Sequence, residues 1–131
     1  MSDPRVWDYA VTELFRAVDG DTFDLTVEKR MDFGFRLIED KRWSTRFRLL
    51  GVNTPETNEA GGAAATAYAT AWIADAIAVG GLRGQTLKTD NFGRWLIDLY
   101  RPDDGQHLSA ALIRDGHGTI YPPPPKGTTN V

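Results

Sequence analysis

Three short segments set charged side chains beside residues that fix turns. In the first, Val18-Asp19-Gly20-Asp21-Thr22, two aspartates flank a glycine just before an alternating stretch. That arrangement presents a carboxylate at a strand start, although an Asx-type turn closed by its own aspartate explains it equally well. In the second, Arg46 to Glu56, a strand carries arginines outward and its loop delivers Asn53, Thr54 and Glu56 within four residues. Pro55 fixes its own φ and pushes Thr54 toward an extended conformation, so these groups are held. A strand followed by an ordinary proline turn is the bland alternative. In the third, Thr89 to Trp95, Gly93 permits a positive-φ turn and leaves Arg94 at a strand start. Alone, it reads as a surface arginine.

Together the segments contain what phosphodiester cleavage requires. The reaction needs a cation to polarise phosphoryl oxygens, a base or water-positioning group, and guanidinium groups to hold the charge that develops. Aspartate, asparagine and backbone oxygens suit Ca²⁺ or Mg²⁺ rather than zinc. Arginine offers phosphate a bidentate fork that lysine lacks.

The elements that must position these groups are legible from periodicity. Trp7 to Val18 is mixed and fits one or two strands. Phe23, Leu25 and Val27 alternate with Thr22, Asp24 and Thr26, and Trp43, Thr45, Phe47 and Leu49 alternate with Ser44, Arg46 and Arg48. Residues 22–52 therefore read as an extended hairpin with a turn or bulge at Asp32-Phe33-Gly34, ending at Gly51. Residues 59–79 carry Ala63, Ala67, Tyr68, Ala71, Trp72 and Ala74 at helical spacing, closed by Gly80-Gly81. Tyr68 and Trp72 are expected in the core. Residues 82–88 and 94–101 form a second strand pair, and Pro102 to Gly105 a turn. Ser109 is the expected N-cap of a short helix to Arg114, with Gly116 at its C-terminal end. Pro122 to Pro125 excludes helix and central strand and predicts extended polyproline II.

Many strands with one helix midway and one late fit a barrel carrying packed helices. The order matches the OB-fold, a five-stranded Greek-key barrel. The expected class is all-β to α+β, with one domain over residues 1–121 and a proline-rich tail over 122–131.

A chain of 131 residues supports one core, burying about two thirds of its unfolded surface. Hydrophobic residues at 41% and charged residues at 25% are ordinary values for a globular domain. The absence of cysteine excludes disulfides and thiolate metal sites. No apolar run approaches the roughly 18 residues that cross a bilayer, so no membrane association is expected. The N-terminus shows no basic start followed by an apolar stretch, which argues against a secretory signal and leaves cytoplasmic as the default expectation.

Net charge is −3, unusual for a nucleic-acid enzyme. It is unevenly placed: residues 1–40 carry ten acids and five bases, whereas 41–54 carry Lys41, Arg42, Arg46 and Arg48 and no acid. That stripe could meet phosphate, but a solvated strand face is the favoured reading.

The three segments in order, with the helix between the second and third, resemble the staphylococcal nuclease family. The likeness runs from about Val11 to Tyr121 and includes Ala110-Ala111-Leu112-Ile113-Arg114-Asp115-Gly116. It implies an OB-fold and Ca²⁺-dependent hydrolysis of DNA or RNA that leaves a 3′-phosphate. By motif, Asp21 would be a calcium ligand and Thr54 would offer its backbone carbonyl. Glu56 would position or deprotonate the attacking water, and Arg48 and Arg94 would bind the scissile phosphate and its transition state. The expected partner is DNA or RNA, preferentially single-stranded, met by a monomer; Mg²⁺ is the alternative ion.

Three departures accompany the likeness. Asn53 stands where the family has a second calcium aspartate, which predicts weaker binding because affinity follows ligand charge. The hairpin between Thr22 and Phe47 is longer than in the family's type member. The C-terminal third helix gives way to the proline tail. Tyr121 lies near tyrosines that help the family bind nucleotide, in an open register, while His107 and His117 have no family counterpart and are expected to be exposed. Two other functions compete: a non-catalytic OB-type nucleic-acid-binding module and a protein-interaction domain using the proline tail. Retention of Arg48, Glu56 and Arg94 favours the enzyme.

Overall fold

The computed structural model describes residues 7–32, 38–89 and 94–122. Its strands are β1 (Trp7–Asp19), β2 (Thr22–Asp32), β3 (Ile38–Leu49), β4 (Val52–Asn53), β5 (Leu82–Thr89), β6 (Trp95–Tyr100) and β7 (Thr119–Ile120). Two helices complete it, α1 (Gly62–Val79) and α2 (Leu108–Arg114).

Five strands close a barrel in the order β1-β2-β3-β6-β5. The β3–β6 pair is parallel and covers only Phe47↔Trp95 to Leu49↔Ile97, while the other pairings are antiparallel. This is an OB-type mixed barrel with two helices packed on it, as expected. The long hairpin is present as a ladder from Thr22↔Arg48 to Asp32↔Ile38. Its tip falls outside the described residues, as do Asp90 to Gly93 and the chain beyond Pro122, the proline tail included.

The period-two pattern builds the core. Phe23, Leu25, Val27, Phe47 and Leu49 point inward and are buried, meeting Ile97, Leu99 and Leu82. Removing each such side chain from water contributes about 1.5–3 kcal/mol. Trp43 shares their phase yet is 46% exposed. The reason is topological: β3 pairs with β6 only near its end, so the wall around Trp43 has no strand closing over it.

α1 packs on the barrel, chiefly against β1, and buries Ala65, Ala69, Trp72, Ile73 and Ala76. Trp72 therefore packs in the core, as its spacing predicts, and Tyr68 sits half-buried beside it. The helix has 18 residues and a mean hydropathy of 1.2, so by length and composition it reaches the range of a bilayer span, contrary to the expectation that no run would. Alanine gives it that value, and its apolar face is spent on the barrel. α2 begins two residues earlier than expected. His107 occupies the cap position without a capping side-chain bond, and Ser109 lies inside the helix. Leu108 accounts for the shift, because the barrel draws it into the core at 0% exposure.

The chain end supplies a feature invisible to periodicity. β7 pairs with β4 through Val52↔Ile120 and Asn53↔Thr119, a sheet of two residues per strand. Tyr121 then donates its N–H to the Gly51 carbonyl at 3.1 Å, which pins the segment across the loop after β3.

Candidate active site

Asp21 directly precedes β2, and Arg48 lies near the end of β3 opposite Thr22. The Leu49 N–H donates to the Asp21 carbonyl at 2.7 Å, so the two strands meet tightly here. Gly20 allows the turn to seat against its neighbours: a Cβ there would lie 2.9 Å from Thr54 Oγ1 and 3.0 Å from Ala65 Cβ.

The alternation of β3 predicts an outward Arg48, yet the residue is 7% exposed. Its Nη1 donates to the carbonyls of Leu49 and Val52, both at 2.8 Å. Its Nη2 donates to Asn53 Oδ1 at 3.2 Å and lies 3.4 Å from Asp21 Oδ2. The Tyr121 ring covers the guanidinium carbon at 5.4 Å. Nη1 is thus an anchor, and Nη2 meets oxygens that a phosphate could replace.

Asp21 is held as firmly. Thr22 Oγ1 donates to its Oδ1 at 3.0 Å, and the Thr54 N–H donates to its Oδ2 at 2.8 Å. Asp19 stands beside it, accepting from the Asp21 N–H at 3.3 Å. Burial, then the neighbouring Asp21, pushes the Asp19 carboxyl up to about 6. Thr54 Oγ1 is buried without a hydrogen-bond partner among the described residues. Asn53 is exposed, and an open cavity of about 480 Å³ lies beside Asn53, Thr54 and Pro55.

These donors fit a hard cation: crowded carboxylates, an amide oxygen, and an orphaned hydroxyl in one place. The fit is charge-poor. No group of three or more acidic or histidine side chains that could hold an ion occurs among the described residues.

Glu56 follows two residues after Thr54 and is exposed. Its N–H donates to Glu59 Oε1 at 2.7 Å, and its carbonyl accepts from the Glu59 N–H at 2.8 Å. Gly62 matters here: a Cβ would fall 1.7 Å from the Glu56 carbonyl oxygen, so only glycine lets the Glu56 turn rest on the start of α1. Arg94 is half-buried immediately before β6, at the residue preceding the Trp95–Phe47 pair.

Asp21 thus touches Arg48 and Thr54, and Arg48 touches Asn53, while Glu56 lies two residues along the chain from Thr54 and Arg94 directly precedes β6. The basic stripe does not serve phosphate as a free surface. Arg42 is paired with Glu28 and Arg46 with Asp24 across the β2–β3 ladder. His107 is exposed and pairs with Asp98, and His117 packs on the Tyr68 ring. Sequence reading named Tyr121 but left its register open, and the β4–β7 pairing sets it on Arg48. Gly62 escaped it, because its role depends on the Glu56 turn meeting the start of α1.

A closed mixed barrel with a buried arginine–aspartate pair at its rim defines an OB-type domain. The chain belongs to the staphylococcal nuclease homologue family, whose model matches residues 46–129. The matched stretch holds Arg48, Asn53, Thr54, Glu56 and Arg94, and the Asp21 turn precedes it. No curated protein matches the chain.

Proposed function

We propose that the protein is a metal-dependent nuclease that hydrolyses phosphodiester bonds of DNA, RNA or both with little base specificity. The observation that carries this reading is Arg48, a guanidinium buried at 7% exposure and anchored through Nη1 while Nη2 meets replaceable oxygens. Membership of a nuclease-type family supports it.

Asp21, the amide oxygen of Asn53 and the carbonyl of Thr54 would hold the cation, Ca²⁺ first and Mg²⁺ as the alternative. When bound, the ion supplies charge neutralisation at the phosphoryl oxygens. Arg48 and Arg94 would grip those oxygens and hold the charge that grows as the phosphorus becomes five-coordinate. Glu56, exposed and unencumbered by burial, would orient the attacking water and accept its proton. Water adds to phosphorus, the bond to the 5′-oxygen breaks, and a 3′-phosphate and a 5′-hydroxyl remain.

The amide at Asn53 and the lack of a three-acid cluster among the described residues favour one alternative, a binding module that no longer cuts. A nuclease assay titrated with Ca²⁺ and Mg²⁺ on single- and double-stranded DNA and RNA separates the two. Chelator-sensitive cleavage supports the enzyme. Binding without cleavage at any cation concentration overturns it in favour of the module.

A further inference from the structure

The two charged groups at the centre of the candidate site face each other. Arg48 Nη1 is tied to two backbone carbonyls at 2.8 Å, so an anion arriving at the fork meets its Nη2 side. Nη2 faces Asn53 Oδ1 at 3.2 Å and Asp21 Oδ2 at 3.4 Å. The first is a neutral oxygen. The second carries the same sign of charge as a phosphate and lies where a phosphate oxygen would bind. Both side chains are buried, so water screens the pair little.

The carboxylate is also held in that place. Thr22 Oγ1 donates to its Oδ1 at 3.0 Å, and the Thr54 N–H donates to its Oδ2 at 2.8 Å. An incoming phosphate must therefore displace Asp21 from Nη2 and bear its repulsion. A cation on Asp21 would remove both obstacles, because the carboxylate would then face the ion.

We infer that Asp21 is an internal stand-in for the substrate's phosphate: it holds Arg48 in an autoinhibitory pair, which a cation on Asp21 releases. This rests on the nuclease reading for its ligands and adds a regulation of that site. Coupling of this kind is reciprocal, so phosphate should favour the cation by the factor with which the cation favours phosphate.

The test needs no cleavage. Binding of a labelled oligothymidylate of about ten residues is followed by fluorescence anisotropy in chelator. Asp21→Asn keeps an oxygen for the Thr54 N–H but loses the charge, and should bind the strand about tenfold more tightly than wild type. Adding Arg48→Ala should abolish that gain. Asp75→Asn, at an exposed position of α1, changes net charge equally and should bind as wild type does. An Asp21→Asn gain no larger than that of Asp75→Asn, or one that survives Arg48→Ala, overturns the inference. Should Asp21→Asn not fold, the wild type decides. Its affinity for thymidine 5′-monophosphate, which has no phosphodiester bond to cut, should rise about tenfold from chelator to saturating Ca²⁺. No rise overturns the inference. If Asp21→Asn gains affinity but no cation elicits cleavage, the autoinhibitory pair stands and the hydrolytic reading falls; cleavage without that gain leaves the nuclease and removes the device.

Discussion

Arg48 Nη2 and Asp21 Oδ2 lie 3.4 Å apart, with only 8% and 6% of their side chains exposed. A pair so buried loses much hydration, and its mutual attraction often does no more than offset that loss. Well-packed apolar residues would stabilise the fold as well or better. Retaining a charged pair at the barrel rim therefore points to chemistry. Under the proposed function, Arg48 would turn from Asp21 to a phosphate and Asp21 from Arg48 to a cation.

Breaking the pair should show its cost. Arg48→Ala leaves Asp21 buried without its counter-charge and should destabilise the protein by about 3 kcal/mol. Urea unfolding would measure the change, and a loss under about 0.5 kcal/mol would mean that water already reaches the carboxylate.

Glu56→Gln tests the chemistry with less structural damage, because the side chain is exposed. Cleavage of denatured DNA should fall by about a hundredfold or more while Tm stays within a few degrees. Unchanged turnover would remove Glu56 from the mechanism.

Asn53→Asp adds a full charge beside Asp21 and within reach of Arg48 Nη2. The calcium concentration for half-maximal cleavage should fall, since affinity follows ligand charge. A rise or no change would show that Asn53 is not a ligand.

Gly62→Ala probes Glu56 from a distance. A Cβ at that position meets the Glu56 carbonyl, so the turn must shift while every other side chain is unchanged. A drop in kcat of about tenfold with KM little changed is expected if Glu56 needs its place to within about 0.5 Å. Full activity would show that the turn adjusts without moving the carboxylate.

The pH dependence of stability should carry the signature of Asp8 on β1. Burial raises its carboxyl, but bonds from Tyr100, Arg83 and Gln85, with the Arg83 charge, outweigh that and hold it below the ordinary value. The unfolded chain then takes up this proton first as pH falls. The contribution is complete above about pH 4 and is lost as pH drops through the lower folded value. Acid titration of Tm should therefore be shallower in Asp8→Asn than in wild type; parallel curves would show that the network adds nothing.

The sequence alone determined the barrel strands, the alanine-rich helix and the identity of the charged residues. Period-two and helical spacing are local properties, written wherever one face of an element is buried. Phe23, Leu25 and Val27 are inside because their phase leaves no other choice. Tertiary structure decided everything that depends on distant segments meeting. Arg48 reads as an outward strand residue, yet it is buried because β7 folds over β4 and brings Tyr121 across it. Trp43 reads as core, yet it stands half-exposed because β3 and β6 pair over only three positions. Ser109 reads as a cap, yet the pull of the core on Leu108 moved the helix start. Burial and long-range pairing are free energies of the whole chain, so no local window of residues can register them.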